Sequence, residues 1–193
     1  MADDERAQQV TADDLVSSAA LLAERMVAPL GQRWSHVQAV AKRAENLARA
    51  VAAEDRQTLV ASGWLYDIGY SHEIKHTGFH PLDGARFLRQ MGWPDDIVNL
   101  VAHHSGARFE AEQRGLTEDL KEFPFADSDL LDALVAADLT TGPQGQSLTY
   151  DERIEEILQR YPEDDPVHKT WKFAAPILEE SILRVQSRLA EVG

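Results

Sequence analysis

The chain has 193 residues, with 19 Lys and Arg against 33 Asp and Glu, for a formal net charge of −14. A surface this acidic repels nucleic-acid polymers and anionic membranes, although a local basic pocket remains compatible with a phosphorylated small molecule. Cysteine is absent, which excludes disulfides, thiolate metal sites and cysteine nucleophiles.

The length suits a single domain spanning 1–193. The start, "MADDERAQQVTADD", is acidic and polar, unlike a secretory signal. No stretch approaches the roughly 20 apolar residues that span a bilayer. A cytoplasmic protein is the expectation.

The pattern is helical nearly throughout. Residues 13–28 carry apolar positions at helical spacing behind an acidic start that suits a helix N-terminus, and Pro29 and Gly31 end them. The next segment, "HVQAVAKRAENLARAVAAE", places Val37, Val40, Ala44, Leu47 and Val51 on one face. Residues 55–67 form a third helix, apolar all round and therefore central. The stretch "IGYSHEIKHTGF" (68–79) has two glycines and no period, so it reads as a loop. A fourth helix, "PLDGARFLRQM", starts with Pro81 in its first turn, where a missing N–H is tolerated.

"DDIVNLVAHH" makes the fifth helix, and residues 105–126 read as an irregular acidic surface loop, with a lid as the alternative. "DSDLLDALVAADLTTG" is the sixth, capped at its start and stopped by Gly142 and Pro143. "YDERIEEILQRY" and "VHKTWKFAAPILEESILRVQSRLAEV" supply the last helices, the second with an expected kink at Pro176. Within it Trp171, Phe173 and Ile177 read as core, with a helical interface as the alternative. No alternating run long enough for a strand occurs, so the fold class is all-α.

Candidate ligands gather at helix ends. His36 opens the second helix, Asp67 closes the third, His80 precedes the fourth, His103 and His104 close the fifth, and Asp138 lies near the end of the sixth. Imidazole and carboxylate suit divalent ions such as zinc, iron or manganese, and helical bundles build metal centres from facing helices. Each residue also has a plainer role: a polar helix start for His36, a turn cap for Asp67, an N-terminal residue for His80, favourable C-terminal charge for His103 and His104. Asp138, inside the apolar "LVAADL", is harder to explain that way, because an unpaired buried carboxylate is costly.

Their order resembles the HD-domain superfamily of metal-dependent phosphohydrolases, whose pattern is a histidine, a later His-Asp pair and a distant aspartate. "WSHVQAVAKRAENLA" matches through His36, "WLYDIGY" through Asp67 and "LVAADLTTG" through Asp138. "TGFHPLDGARFL" and "VAHHSG" resemble the additional histidine elements of the two-metal branch, at His80, His103 and His104. The resemblance covers about 30–145, which it marks as a metal-binding core, with 146–193 as C-terminal helices.

It implies an HD-type helical bundle holding one or more divalent ions, of which Mn, Fe, Mg, Ni and Zn are the options. Asp67 would be the carboxylate shared by two metals and would hold the nucleophilic hydroxide. Tyr66 stands where the family has the histidine of its pair, which implies one weakened position (His36, Asp67, Asp138) beside a fuller one (Asp67, His80, His103, His104). A tyrosine is a poor ligand while its phenol keeps its proton, yet three ligands suffice for many catalytic metals.

"DIGY" lacks the lysine and the following "GYP" of the cyclic-dinucleotide phosphodiesterases, so such a substrate is not expected. The function implied is hydrolysis of a small phosphorylated metabolite or nucleotide, with Lys75 and Arg108 as candidates to neutralise phosphate. The alternatives are a non-catalytic HD-like module with a degenerate metal site and a di-iron oxygenase of the same superfamily. The oligomeric state stays open.

Overall fold

A computed structural model describes residues 12–192, and the acidic N-terminal stretch lies mostly outside the described residues. Its helices are α1 (Ala12–Val27), α2 (Gln32–Leu47), α3 (Arg56–Leu65), α4 (His80–Gln90), α5 (Asp95–His103), α6 (Ala107–Arg114), α7 (Thr117–Leu120), α8 (Asp129–Leu139), α9 (Tyr150–Arg160) and α10 (Pro166–Glu191). Among the described residues there is no β-strand, only a single antiparallel bridge between Thr141 and Ser147. The all-α reading holds. No helix among these residues is long and apolar enough to cross a membrane.

The most apolar segments take the centre. α3 packs against α1, α2, α5 and α8, and α8 in turn packs against α2 and α10. In α8, every residue from Leu131 to Leu139 is buried, which its nearly continuous run of Leu, Ala and Val permits. Small residues bring α3 close to α2: a Cβ added at Gly63 would lie 3.1 Å from the Ala44 Cβ and 3.2 Å from the Ala41 Cα. Each fully buried Leu or Val in this core contributes about 1.5–3 kcal/mol. Asp67 follows the C-terminus of α3 and Asp138 sits in the last turn of α8, so the two central helices deliver carboxylates to the same end of the bundle.

Polar devices hold the outer helices. Ser128 caps α8 by accepting from the Leu131 N–H at 3.2 Å, Thr149 and Glu152 form a reciprocal capping box on α9, and Asp165 caps α10 beside Pro166. Buried Asp132 on α8 accepts from Arg184 Nε at 2.8 Å and Arg188 Nη2 at 3.0 Å, which ties α10 across α8.

Two expectations are corrected. Residues 105–126 are not irregular, because α6 and α7 occupy most of them, separated by a left-handed Gly115 (φ 70°). α6 has only two turns and two buried alanines, Ala107 and Ala111, too weak a stripe to read by periodicity; packing against α10 supplies what its own sequence lacks. Phe173 is not core: it is 62% exposed, and its ring meets Phe109 edge-on at 5.7 Å. The buried stripe of α10 instead runs through Trp171, Ala174, Leu178, Ile182 and Val185, and α10 passes through Pro176 as one helix.

Candidate metal centre

Three donors converge. Asp67 Oδ1 lies 3.3 Å from His80 Nε2 and 3.9 Å from His104 Nε2, and the two imidazole nitrogens are 3.1 Å apart. One ligand atom from each residue lies within 4.8 Å of the others, and this is the one such group among the described residues. The chemistry of the set, two imidazoles and one carboxylate, fits a divalent transition-metal ion.

Local structure fixes each donor. His104 donates Nδ1–H to the Val101 carbonyl at 2.7 Å, which turns the Nε2 lone pair toward Asp67. His80 opens α4, and the turn before it is pinned by buried Asp83, whose carboxylate accepts from the backbone N–H groups of His76, Thr77 and Gly78 and from the Thr77 hydroxyl. The start of α4 lies directly on the 68–70 turn: a Cβ at Gly69 would come within 2.0 Å of the His80 carbonyl oxygen. Only glycine permits the approach that brings His80 to Asp67. Tyr70 then stacks on the His80 ring at 4.0 Å.

Burial pushes the His80 pKa well below its usual value, despite the opposing charge of Asp67. The ring is neutral at neutral pH, as a metal ligand must be. Burial alone would raise the Asp67 pKa, but neighbouring positive charge, led by the Arg33 guanidinium, outweighs it and holds the group low. Asp67 is therefore a carboxylate.

His36 and Asp138 form a separate pair. His36 Nδ1 lies 2.9 Å from the Gly142 carbonyl and Nε2 lies 3.0 Å from Asp138 Oδ1. Asp138 also accepts from the Ser105 hydroxyl, lies 3.5 Å from the Tyr66 hydroxyl and has Arg153 at 3.9 Å. Ser105 is the one non-glycine residue with a positive φ among the described residues (45°), a conformation that costs energy and aims its hydroxyl at Asp138. Although burial opposes it, hydrogen bonding and charge from His36 lead the effects that keep Asp138 well below the usual carboxylate range. Tyr66 is 1% exposed, between the His36 and His104 rings with centroids at 6.1 and 5.0 Å. Burial first, then the charges of Asp67 and Asp138, pushes its phenol well above the usual range.

Not every residue singled out in the sequence comes to this place. His103 donates Nε2–H to the Phe123 carbonyl at 2.8 Å and lines two other hollows, beside Phe125 and beside Pro124, so of the adjacent histidines it is His104 that faces Asp67. Lys75 is exposed on its loop, and Arg108 stacks over Phe109 and Phe125, each at 4.6 Å, away from the Asp67 cleft. The cations that do line this cleft are Arg33, Arg153 and Arg160. Arg33 Nη1 donates to Asp67 Oδ2 at 2.8 Å, and its guanidinium lies 4.0 Å from the Tyr70 ring centroid. Tyr161, Trp171 and Glu110 complete the wall of this cleft.

Spacing offered a signal for these. Arg33 stands one helical turn before His36, and Arg153 and Arg160 are seven apart on α9, each on a common face. Ser105 carries no such signal.

Comparison with curated proteins and with solved structures yields no match. The pattern of the HD domain matches residues 33–138, more than half of the chain and every residue from Arg33 through Asp138, so the chain belongs to the HD domain family.

Proposed function

We propose that this protein is a metal-dependent phosphohydrolase acting on a small phosphorylated metabolite or nucleotide. The observation that carries this is the opening of the Asp67–His80–His104 group into a cleft lined by Arg33, Arg153 and Arg160, in a chain of net charge −14. Guanidinium groups recognise phosphate oxygens through paired hydrogen bonds, and their concentration here sets the cleft apart from the acidic surface.

Asp67, His80 and His104 would hold the cation, which when bound supplies Lewis acidity toward phosphoryl oxygen and lowers the pKa of water. His80 now lies within hydrogen-bonding distance of both His104 Nε2 and Asp67 through Nε2, so binding requires that nitrogen to be free of its proton. Arg153 and Arg160, both paired with Glu156, line the cleft and would orient a phosphate. Tyr70, Tyr161 and Trp171 restrict water and offer flat surfaces to the organic part of the ligand. Glu110, paired with Arg114 at 2.6 Å, lines the same cleft.

The test is phosphate release from a panel of sugar phosphates and nucleotides by manganese-loaded protein. Turnover of at least one, abolished by a chelator and by Asp67→Asn, is expected. No turnover by fully loaded protein would overturn the reading and favour a non-catalytic binding module. That second reading draws its support from Tyr66 and from the hydrogen bonds already closed around Asp138.

A further inference from the structure

The two-metal branch that the His80 and His104 elements resemble has cations on both sides of the shared aspartate, and the side chains here fit the two sides unequally. On one side Asp67 Oδ1 faces His80 and His104, three donors within reach of a single ion. On the other side Asp67 Oδ2 already accepts from Arg33 at 2.8 Å. The guanidinium is held there by stacking on Tyr70, and with Asp67 it forms a charge-assisted contact that a second cation would have to break.

The remaining donors on that side are also engaged. Each ring nitrogen of His36 faces an oxygen, Gly142 O or Asp138 Oδ1, so neither is directed at open space. Both oxygens of Asp138 have partners: His36 and Tyr66 at Oδ1, Ser105 at Oδ2. The phenol ring of Tyr66 fills the space between the His36 and His104 rings, where the family has an imidazole. A cation entering here would have to displace Arg33, part His36 from Asp138 and share the space that the Tyr66 ring fills.

We infer that this protein binds one divalent cation per chain, on Asp67 Oδ1, His80 and His104, and that the Arg33 guanidinium, supported by Tyr66, takes the place of the second. Asp67 then bridges a metal and a guanidinium where an HD centre of two metals has its aspartate between ions. The inference needs the metal centre of the proposed function but not its substrate. It makes the positive charge beside Asp67 a permanent property of the fold, independent of metal supply on that side.

The experiment measures bound manganese by elemental analysis and electron paramagnetic resonance after loading and desalting the full chain. Expected is one equivalent per chain with the hyperfine-split signal of isolated ions. His36→Gln and Asp138→Asn should each retain that equivalent, whereas His80→Ala should lose it. Arg33→Gln combined with Tyr66→His should gain a second equivalent and an exchange-coupled signal.

Two equivalents in the wild type overturn the inference and leave the phosphohydrolase reading standing. Loss of manganese from folded His36→Gln or Asp138→Asn, checked by circular dichroism, also overturns it. A folded double variant that still binds one equivalent removes Arg33 and Tyr66 as the cause. One equivalent without turnover of any phosphoester sinks the proposed function and leaves this inference intact, and no bound metal sinks both. The wild type and the single variants decide the matter even if the double variant does not fold.

Discussion

The two sides of Asp67 hold comparable side chains and differ in what those side chains already do. His80 and His104 converge on Asp67 Oδ1 with their Nε2 atoms 3.1 Å apart, and His104 is oriented by a backbone carbonyl behind it. His36 and Asp138 have the residue types and family order of ligands, yet they are bonded to each other and to Gly142, Ser105 and Tyr66. A ligating imidazole is usually oriented by a hydrogen bond from its other ring nitrogen, as His104 is by the Val101 carbonyl. The same cleft thus contains a centre that is prepared for a cation and a network that is complete in itself.

The sharpest way to break this contrast is Asp67→Asn. It removes the only carboxylate of the prepared group and should weaken manganese binding by more than about 100-fold, read by calorimetry. If affinity survives, the converging donors are not the site. Next comes Gly69→Ala, because its new Cβ would meet the His80 carbonyl at 2.0 Å. Overpacking of that severity should cost about 3 kcal/mol, lower Tm by about 10 °C and weaken manganese binding together with stability.

Asp83→Ala releases the turn ahead of α4 without touching any candidate ligand. It should reduce manganese affinity by about tenfold while His36 and Asp138 stay paired, since their elements do not include that turn. Equal affinity in this variant would show that α4 is held by packing alone. Arg160→Ala should raise KM for a phosphorylated substrate by about tenfold with little change in bound manganese, separating phosphate recognition from metal binding.

The smallest expected effect lies on α8, which carries Asp138. Burial would raise the pKa of Asp132, but hydrogen bonds from Arg184 and neighbouring groups overcome this and hold it low. A depressed carboxylate contributes stability above its unfolded pKa, near 3.9, and loses it as pH falls through the folded value. Asp132→Asn should therefore cost about 1 kcal/mol near neutral pH, or about 3 °C in Tm, discounted because Arg184 is partly exposed. The gap between variant and wild type should close below about pH 4.

Much of this was legible in the sequence because it depends on local pattern. The one-sided stripe of α2, the apolar run of α8 and the proline at the start of α4 each announce their element. The order His36, Asp67, His80, His104, Asp138 identifies the family. What the sequence hid depends on three-dimensional arrangement: which of two adjacent histidines turns inward, and which arginines reach the cleft. His103 and His104 differ by the turn at Ser105, where the chain leaves helical geometry. Lys75 and Arg108 are near the histidines in sequence but do not line the Asp67 cleft, whereas Arg153 and Arg160, which do, come from α9, beyond the matched region. α6 escaped because its two turns are stabilised by α10, residues distant along the chain.

The wall formed by α9 and α10 has a consequence for how such a protein changes over time. Arg153, Arg160, Tyr161 and Trp171 face the cleft from outside residues 33–138, while the candidate metal donors lie within them. Part of the cleft wall is thus encoded beyond the stretch that carries Asp67, His80 and His104, and the Asp132 clamp to Arg184 and Arg188 ties the two together. Mutation on α9 and α10 can therefore redraw that part of the wall without touching Asp67, His80 or His104.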